Sequence, residues 1–145
     1  MGSEMCIRDR YNIEGLVHGG IKSKYQKEKF ESICSKMGLK ALSPLWNYEP
    51  EKYMNDLINS EFNFIITSVS SDGLDDKWLG KRITKKELEI LKDLSFKFGF
   101  NLNFEGGEAE TFVTGCPLFS SPIQIKQSKK IWDGYRGRFE ILEAE

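Results

Sequence analysis

Between Gly15 and Leu42 the chain reads as strand, glycine turn, helix and strand, and that order restricts the fold more than any other feature of the sequence. Gly15-Leu16-Val17 is a short apolar run inside a strand expected over 13–18, which ends at Gly19-Gly20. Ser23 then opens a helix whose apolar residues Phe30, Ile33, Cys34 and Met37 recur at i, i+3, i+4 and i+7, the spacing of one buried face. Ser23 and Gln26 fit an S-x-x-Q capping box, Gly38 stands where a left-handed residue closes a helix, and 39–42 is a second strand. Strands joined through a helix in this way run parallel, with a right-handed crossover.

Ser43-Pro44 ends that unit, and a seam is expected over 46–50. Pro50 suits the first turn of a helix that buries Tyr53, Met54, Leu57 and Ile58. A nearly continuous apolar strand follows over 62–69, then a polar loop over 70–80 that carries Trp78. Thr84 and Glu87 form a second capping box, Leu88, Leu91, Leu94 and Phe98 line the helix behind it, and Gly99 closes it. From Phe100 onward short strands are expected over 109–114, 122–127 and 138–143, with Asp133-Gly134 as a hairpin turn, so the chain should end in a small mixed or antiparallel sheet. Phe30, Ile33, Leu57, Ile66, Leu91 and Leu94 are the expected core. Residues 1–10 have neither helical nor strand period and are expected to be a non-native or disordered leader, with native sequence once preceding Tyr11.

The composition, 39% hydrophobic and 30% charged with 4 prolines, belongs to a folded chain rather than a disordered one. Lys and Arg (21) nearly balance Asp and Glu (22), so no global positive field exists to hold a nucleic-acid backbone. Cys6, Cys34 and Cys116 form no CxxC pair, which leaves neither a disulfide framework nor a zinc site and fits free thiols in a reducing compartment. His18 is the only histidine; this excludes a His-rich metal centre, argues against a Ser-His-Asp or Cys-His engine, and makes His18 a strand-end residue first. No apolar run approaches the roughly 20 residues that cross a bilayer, so a cytoplasmic protein is expected.

Glu105-Gly106-Gly107-Glu108-Ala109-Glu110 sets carboxylates around a glycine pair just before a strand. Glycine pairs occur where the backbone takes positive φ or approaches a ligand closely. The acids would repel a phosphate, so the stretch favours a cation: Mg²⁺, an ammonium or an alkylated amine. A tight turn flanked by solvated acids is the commoner outcome of so short a motif. Gly19-Gly20-Ile21-Lys22-Ser23 lies at a strand end and a helix N-terminus, where open α/β sheets bind ligands, although a plain turn before a capped helix is again commoner. Tyr25 and Gln26 share that ambiguity. Lys22, Lys24, Lys27 and Lys29 read as a solvated face before they read as an anion site. Trp46 and Trp78 are either plugs over the core or faces for a cationic group.

The order of these segments is more specific than any one of them: GGIKSKYQKEKFESIC, then SPLW, GLDDKWLGKRI, EGGEAETFV and CPLF. From about Tyr11 to the end the series resembles the diphthine–ammonia ligase family of the compact archaeal type, within the ATP-pyrophosphatase group. The resemblance implies a carbon–nitrogen ligase that adenylates the diphthine carboxylate of translation elongation factor two and lets ammonia displace AMP. The implied fold class is α/β: a remnant of a Rossmann-like, HUP-like parallel-sheet domain over 11–48, followed by a smaller α+β domain with a mixed sheet over 49–145, the substrate-binding part. Gly19, Gly20, Ser23, Tyr25 and Gln26 would lie beside the nucleotide. Glu105 and Glu108 would be catalytic, holding the quaternary ammonium of diphthine or deprotonating ammonium, with Gly106, Gly107, Glu110, Thr111, Trp46 and Trp78 contacting substrate. ATP with Mg²⁺ would be held mainly by the family's N-terminal SGGKDS loop, which this sequence lacks, so an incomplete chain is expected.

Four positions depart from the family pattern: Phe104 and Gly20 stand for a usual glycine and alanine, Ala109 for an aromatic, and Gly115 for an aspartate. The implied partners are elongation factor two and ammonia, with neither a membrane nor direct nucleic-acid binding; a homodimer is compatible with the sequence. The competing readings are a non-catalytic protein-binding module and an ATP-pyrophosphatase relative acting on RNA, the latter disfavoured by the balanced charge.

Overall fold

The computed structural model describes residues 11–145, and the expected leader at 1–10 lies outside the described residues. The chain divides into two units, one ending at Tyr48 and the other running Glu49–Glu145.

The first unit holds β1 (Gly15–Val17), α1 (Lys24–Lys36) and β2 (Lys40–Leu42). β1 and β2 pair in parallel, Gly15 opposite Lys40 and Val17 opposite Leu42, as a strand-helix-strand sequence requires. The Ser23 arm of the expected box caps α1, its Oγ accepting from the Gln26 amide at 3.3 Å. Past the helix end Gly38 takes φ +65°, while the Leu39 amide donates to Cys34 O and the Gly38 amide to Ser35 O, the Schellman pattern. Cys34 is buried, but Ile33 and Met37 are 49% and 40% exposed, so the expected four-residue face narrows to a strip. Two strands of three residues each cover too little of the helix to bury more. Phe30, expected in the core, is half-buried and stacks on His18 with ring centroids 4.6 Å apart.

In the second unit α2 (Pro50–Asn59) is capped by Glu49, whose carboxylate accepts from the Glu51 and Lys52 amides. β3 (Asn63–Val69), α3 (Lys85–Phe98), β4 (Ala109–Gly115), β5 (Ile125–Trp132) and β6 (Gly137–Ala144) follow. The sheet order is β4-β3-β6-β5, and every ladder in it is antiparallel. The mixed sheet is thus corrected to an antiparallel one; parallel contact is confined to the single bridge between Ile66 and Leu79, where the chain after β3 folds back along it. Met54, Ile66, Val69, Leu88 and Leu91 meet in one core, against which Leu57 and Leu94 pack half-buried.

β5 begins three residues later than expected and ends at Trp132. It is an edge strand, and Lys126, Gln127, Ser128, Lys129 and Lys130 are all exposed, which erases the alternation that would have marked it. The expected turn at Asp133-Gly134 joins it to β6: Asp133 Oδ1 accepts from the Tyr135 and Arg136 amides at 2.9 and 2.7 Å.

The box at α3 is complete. Thr84 Oγ1 accepts from the Lys86 amide, and the Glu87 carboxylate accepts from both the amide and the hydroxyl of Thr84. Glu87 is buried, with Lys81 Nζ 3.6 Å away. The Thr84 hydroxyl, helped by backbone amides and Lys81 against the penalty of burial, holds the Glu87 carboxyl below its ordinary value of 4.5. A depressed folded pKa contributes stability that is present above about pH 4.5 and lost as pH falls through the folded value. Thr84→Ala should therefore cost about 0.5–2 kcal/mol at pH 7. The gap in melting temperature to the parent should narrow, without closing, as pH falls below 4.5, because the cap bond from the Lys86 amide does not titrate; a gap constant from pH 7 to pH 3 would refute the coupling.

Candidate functional site

The acidic loop is built by two turns. The Phe104 amide donates to Asn101 O and the Gly107 amide to Phe104 O, with Phe104 at φ +58° and Gly107 at φ +81°. Glycine takes that conformation freely, whereas a bulky residue there costs on the order of 1–3 kcal/mol. Phe104, at the position where the motif resemblance expects glycine, offsets the strain by burying its ring, which is 7% exposed. The loop is tied to the end of β3 by Ser70, whose amide donates to Glu108 O and whose hydroxyl donates to Gly107 O, both at 2.8 Å.

Glu108 turns inward. Its Oε1 accepts from the Asn101 amide at 3.0 Å and from Asn101 Nδ2 at 2.6 Å, while Oε2 is buried without a partner. The carboxylate lies over Gly106, where a Cβ would stand 2.6 Å from Oε1. A Cβ at Gly106 would have to displace this carboxylate, and Glu108, expected as catalytic, holds the loop together through one of its oxygens. Glu110 is exposed on β4, and its carbonyl accepts from Thr67 Oγ1.

Glu105 is half-buried, and its charge reaches Tyr53 of α2. Burial first and Glu105 second push the Tyr53 hydroxyl above its ordinary value of 10.0, so the phenol stays protonated throughout the neutral range. Tyr53 is one wall of a cavity of about 200 Å³, with Phe62, Phe64 and Phe104 as further rings and Thr111 among its polar lining. Asn103 also lines it, and its Nδ2 is buried with no partner. Leaving such a donor unmade costs about 1–3 kcal/mol. Sequence reasoning missed Tyr53 and Asn103 as site residues; the available signal was a polar Asn103 between the apolar Leu102 and Phe104, both of which are buried.

The remaining candidates fall elsewhere. Trp78 is 8% exposed and part of the core, a plug and not a ligand face. Cys116, Pro117 and Phe119 of the CPLF segment line a separate cavity of about 490 Å³ together with Arg82, which donates to Asn63 Oδ1. In the first unit Trp46 receives Lys27 Nζ over its ring at 4.4 Å, so that face is taken by the chain's own cation. Lys29 Nζ lies 5.4 Å from the ring centre of Tyr25, which is 69% exposed. Gly19 is open, but the Gly20 amide donates to His18 Nδ1 at 3.2 Å and the Gln26 amide to Ser23. The Gly20 amide is thus engaged within the chain, and the Gln26 amide by the helix cap. Among the described residues no group of three or more His, Cys, Asp or Glu is placed to hold a metal, and no helix is long and apolar enough to cross a membrane.

A family model described as the diphthamide synthase C-terminal domain matches residues 49–145, the whole second unit, and the diphthamide synthase N-terminal domain model matches residues 5–41. The chain belongs to the diphthamide synthase family, as the motif series suggested. It is 37% identical over 126 residues to a diphthine–ammonia ligase of Mus musculus, covering 86% of this chain and 47% of the relative. The enzyme of that name from Homo sapiens is 35% identical over the same length and shares. A third, from Schizosaccharomyces pombe, is 38% identical over 120 residues, 83% of this chain and 20% of the relative. The chain spans about half the length of the mammalian relatives it matches.

Proposed function

We propose that this chain is the substrate-side part of an ATP-dependent carbon–nitrogen ligase that converts diphthine on translation elongation factor two into diphthamide. The overall reaction forms an amide from the diphthine carboxylate and ammonia, with ATP split to AMP and pyrophosphate. The observation that carries this reading is that the glutamate–glycine loop spends one acid, Glu108, on its own architecture and keeps the other, Glu105, beside a ring-lined cavity. Glu105 is the carboxylate assigned to attract the cationic end of diphthine or to take a proton from ammonium. Gly106, Gly107 and Glu108 position it, and Thr111 of β4 continues the same wall.

Among the described residues the Gly20 amide is engaged by His18, and no group of three or more His, Cys, Asp or Glu is placed to hold a metal. ATP, Mg²⁺ and a HUP-like nucleotide domain containing Gly19, Gly20, Ser23, Tyr25 and Gln26 are accordingly proposed for the whole family protein. The 145-residue chain should release no AMP from ATP on its own. A substrate on a translation factor assigns the protein to the cytoplasm.

The test is recognition. The chain should bind diphthine-bearing elongation factor two more tightly than the unmodified factor, and Glu105→Gln should reduce that preference about tenfold, which corresponds to about 1.4 kcal/mol. Equal binding of the two forms by the parent chain, measured by calorimetry, would overturn the proposal.

A further inference from the structure

The cavity lined by Cys116, Pro117 and Phe119 lies at the far end of β4 from the acidic loop, which enters the strand at Ala109 whereas the cavity begins at Gly115. Seven residues of strand set the two ends about 20 Å apart. Phe62 is the one lining residue common to this cavity and the one beside the loop. At about 490 Å³ the space falls in the range of pockets that hold small organic molecules, roughly 300–1,000 Å³.

Ile58, Phe62, Ile83 and Phe119 give the wall its apolar surface, and its charged residues are Arg82 and Glu61. Arg82 donates to Asn63 Oδ1, while Asn63 Nδ2 donates to Glu61 O at 3.4 Å, so the guanidinium is held by a neutral amide that is itself tied to the backbone. Among the described residues Arg82 forms no ion pair, not even with Glu61. A guanidinium carries a planar fork of N–H donors that matches a carboxylate, and the Asn63 amide occupies only part of it. Arg82 is exposed, so a ligand reaches it from solvent. Ser120 and Ser121 also line the cavity, and neither hydroxyl has a partner among the described residues. A positioned cation with nearby hydroxyl donors favours an oxyanion. One guanidinium in a wall that also contains Glu61 suits a single negative charge better than the two of a phosphate monoester, and the apolar surface suits a hydrocarbon body.

We propose that this cavity is a second binding site, for a small apolar carboxylate. Its oxygens accept from the remaining N–H groups of Arg82 and from the Ser120 and Ser121 hydroxyls, and its hydrocarbon part lies against Phe62, Ile83 and Phe119. The site is independent of the function proposed above and stands or falls by itself.

Cys116 is a half-buried free thiol in the wall, so its alkylation by iodoacetamide, read by peptide mass, reports occupancy, with the buried Cys34 as internal reference. The probes are 3-phenylpropionate, the neutral 3-phenylpropan-1-ol, the cationic 3-phenylpropylamine, and phenyl phosphate. The carboxylate should protect Cys116 saturably, the alcohol and amine should need at least about tenfold higher concentration, and phenyl phosphate should protect no better than the carboxylate. Arg82→Gln should weaken protection by the carboxylate about tenfold and leave the alcohol unchanged, which also reports that the variant is folded. Gly115→Asp is the second variant: a Cβ there meets Asn63 Nδ2 at 3.5 Å and Pro122 Cβ at 3.6 Å, ordinary contact distances, so the new carboxylate can stand beside the amide that holds Arg82. It should cost the carboxylate probe about tenfold and spare the alcohol, and it decides the matter if Arg82→Gln does not fold. No saturable protection, equal protection by the alcohol or the amine, tighter binding of phenyl phosphate, or a loss in a folded variant that the alcohol shares equally would overturn the site.

Discussion

Leu91→Ala should lower the stability of the second unit by about 2–5 kcal/mol, because the side chain is fully buried and the space it leaves cannot collapse completely. Leu91 belongs to the one core cluster that also holds Ile66 of β3, Leu79 and Ile83 of the segment after it, and Leu88 of α3. At roughly 4–8 °C per kcal/mol for a unit of this size, the melting temperature should fall by about 10 °C or more. Ile33→Ala is the contrasting case. Both residues fit an apolar helical period, but Ile33 is 49% exposed and its truncation should cost less than about 1 kcal/mol. Thermal unfolding followed by circular dichroism checks both. A parent-like melt for Leu91→Ala would refute the core assignment, and a loss at Ile33 as large as at Leu91 would mean that the outer face of α1 is buried after all.

Gly106→Ala should disrupt the acidic loop through Glu108 and not through backbone strain. The added Cβ would stand 2.6 Å from Glu108 Oε1 and 2.9 Å from Asn101 Nδ2, which expels the carboxylate from its place. Hydrogen bonds to a charged acceptor contribute about 1.5–3 kcal/mol each. Partial exposure of the loop and rehydration of the released groups reduce the sum, so a loss of about 1–3 kcal/mol is expected. Glu108→Ala removes the same pair of bonds without a collision, and Glu108→Gln keeps an acceptor and should be milder. The decisive measurement is the double-mutant cycle. In a Glu108→Ala background Gly106→Ala should cost almost nothing further, since its target is gone. Additive losses would show that Gly106 matters for some other reason and that the carboxylate does not occupy the space above it.

The contrast between these loops and helices explains what could be read from the sequence. The Thr84 and Glu87 box, the left-handed Gly38 and Gly99, and the Asp133-Gly134 turn are decided within a few residues, and each forms where the local pattern places it. The parallel pairing of β1 with β2 follows from connection rules just as directly. Exposure was harder to read, because a helical period says which residues share a face but not whether anything covers it, and α1 meets only two short strands. At the candidate site the Glu105–Glu110 segment stands out by composition, yet the division of labour between its acids does not. That division depends on Asn101, seven residues before Glu108, and on Tyr53 from a helix far upstream. Neither residue belongs to a motif, and only the folded arrangement brings them to the loop.

The lysines of β5 have a consequence for how copies of this protein meet. An outermost strand presents unpaired amides and carbonyls that a neighbouring molecule's strand can join. Here the exposed rim carries Lys126, Lys129 and Lys130; Lys126 is occupied by Glu145 within the chain, but Lys129 and Lys130 remain on the rim. Two molecules approaching edge to edge would bring these ammonium groups together and desolvate them, so self-association through this side of the sheet is disfavoured at neutral pH and eased by high salt. A homodimer, should one form, has to use a different surface, and the sheet can stay in solution at concentrations where an uncharged edge would recruit its own kind into aggregates.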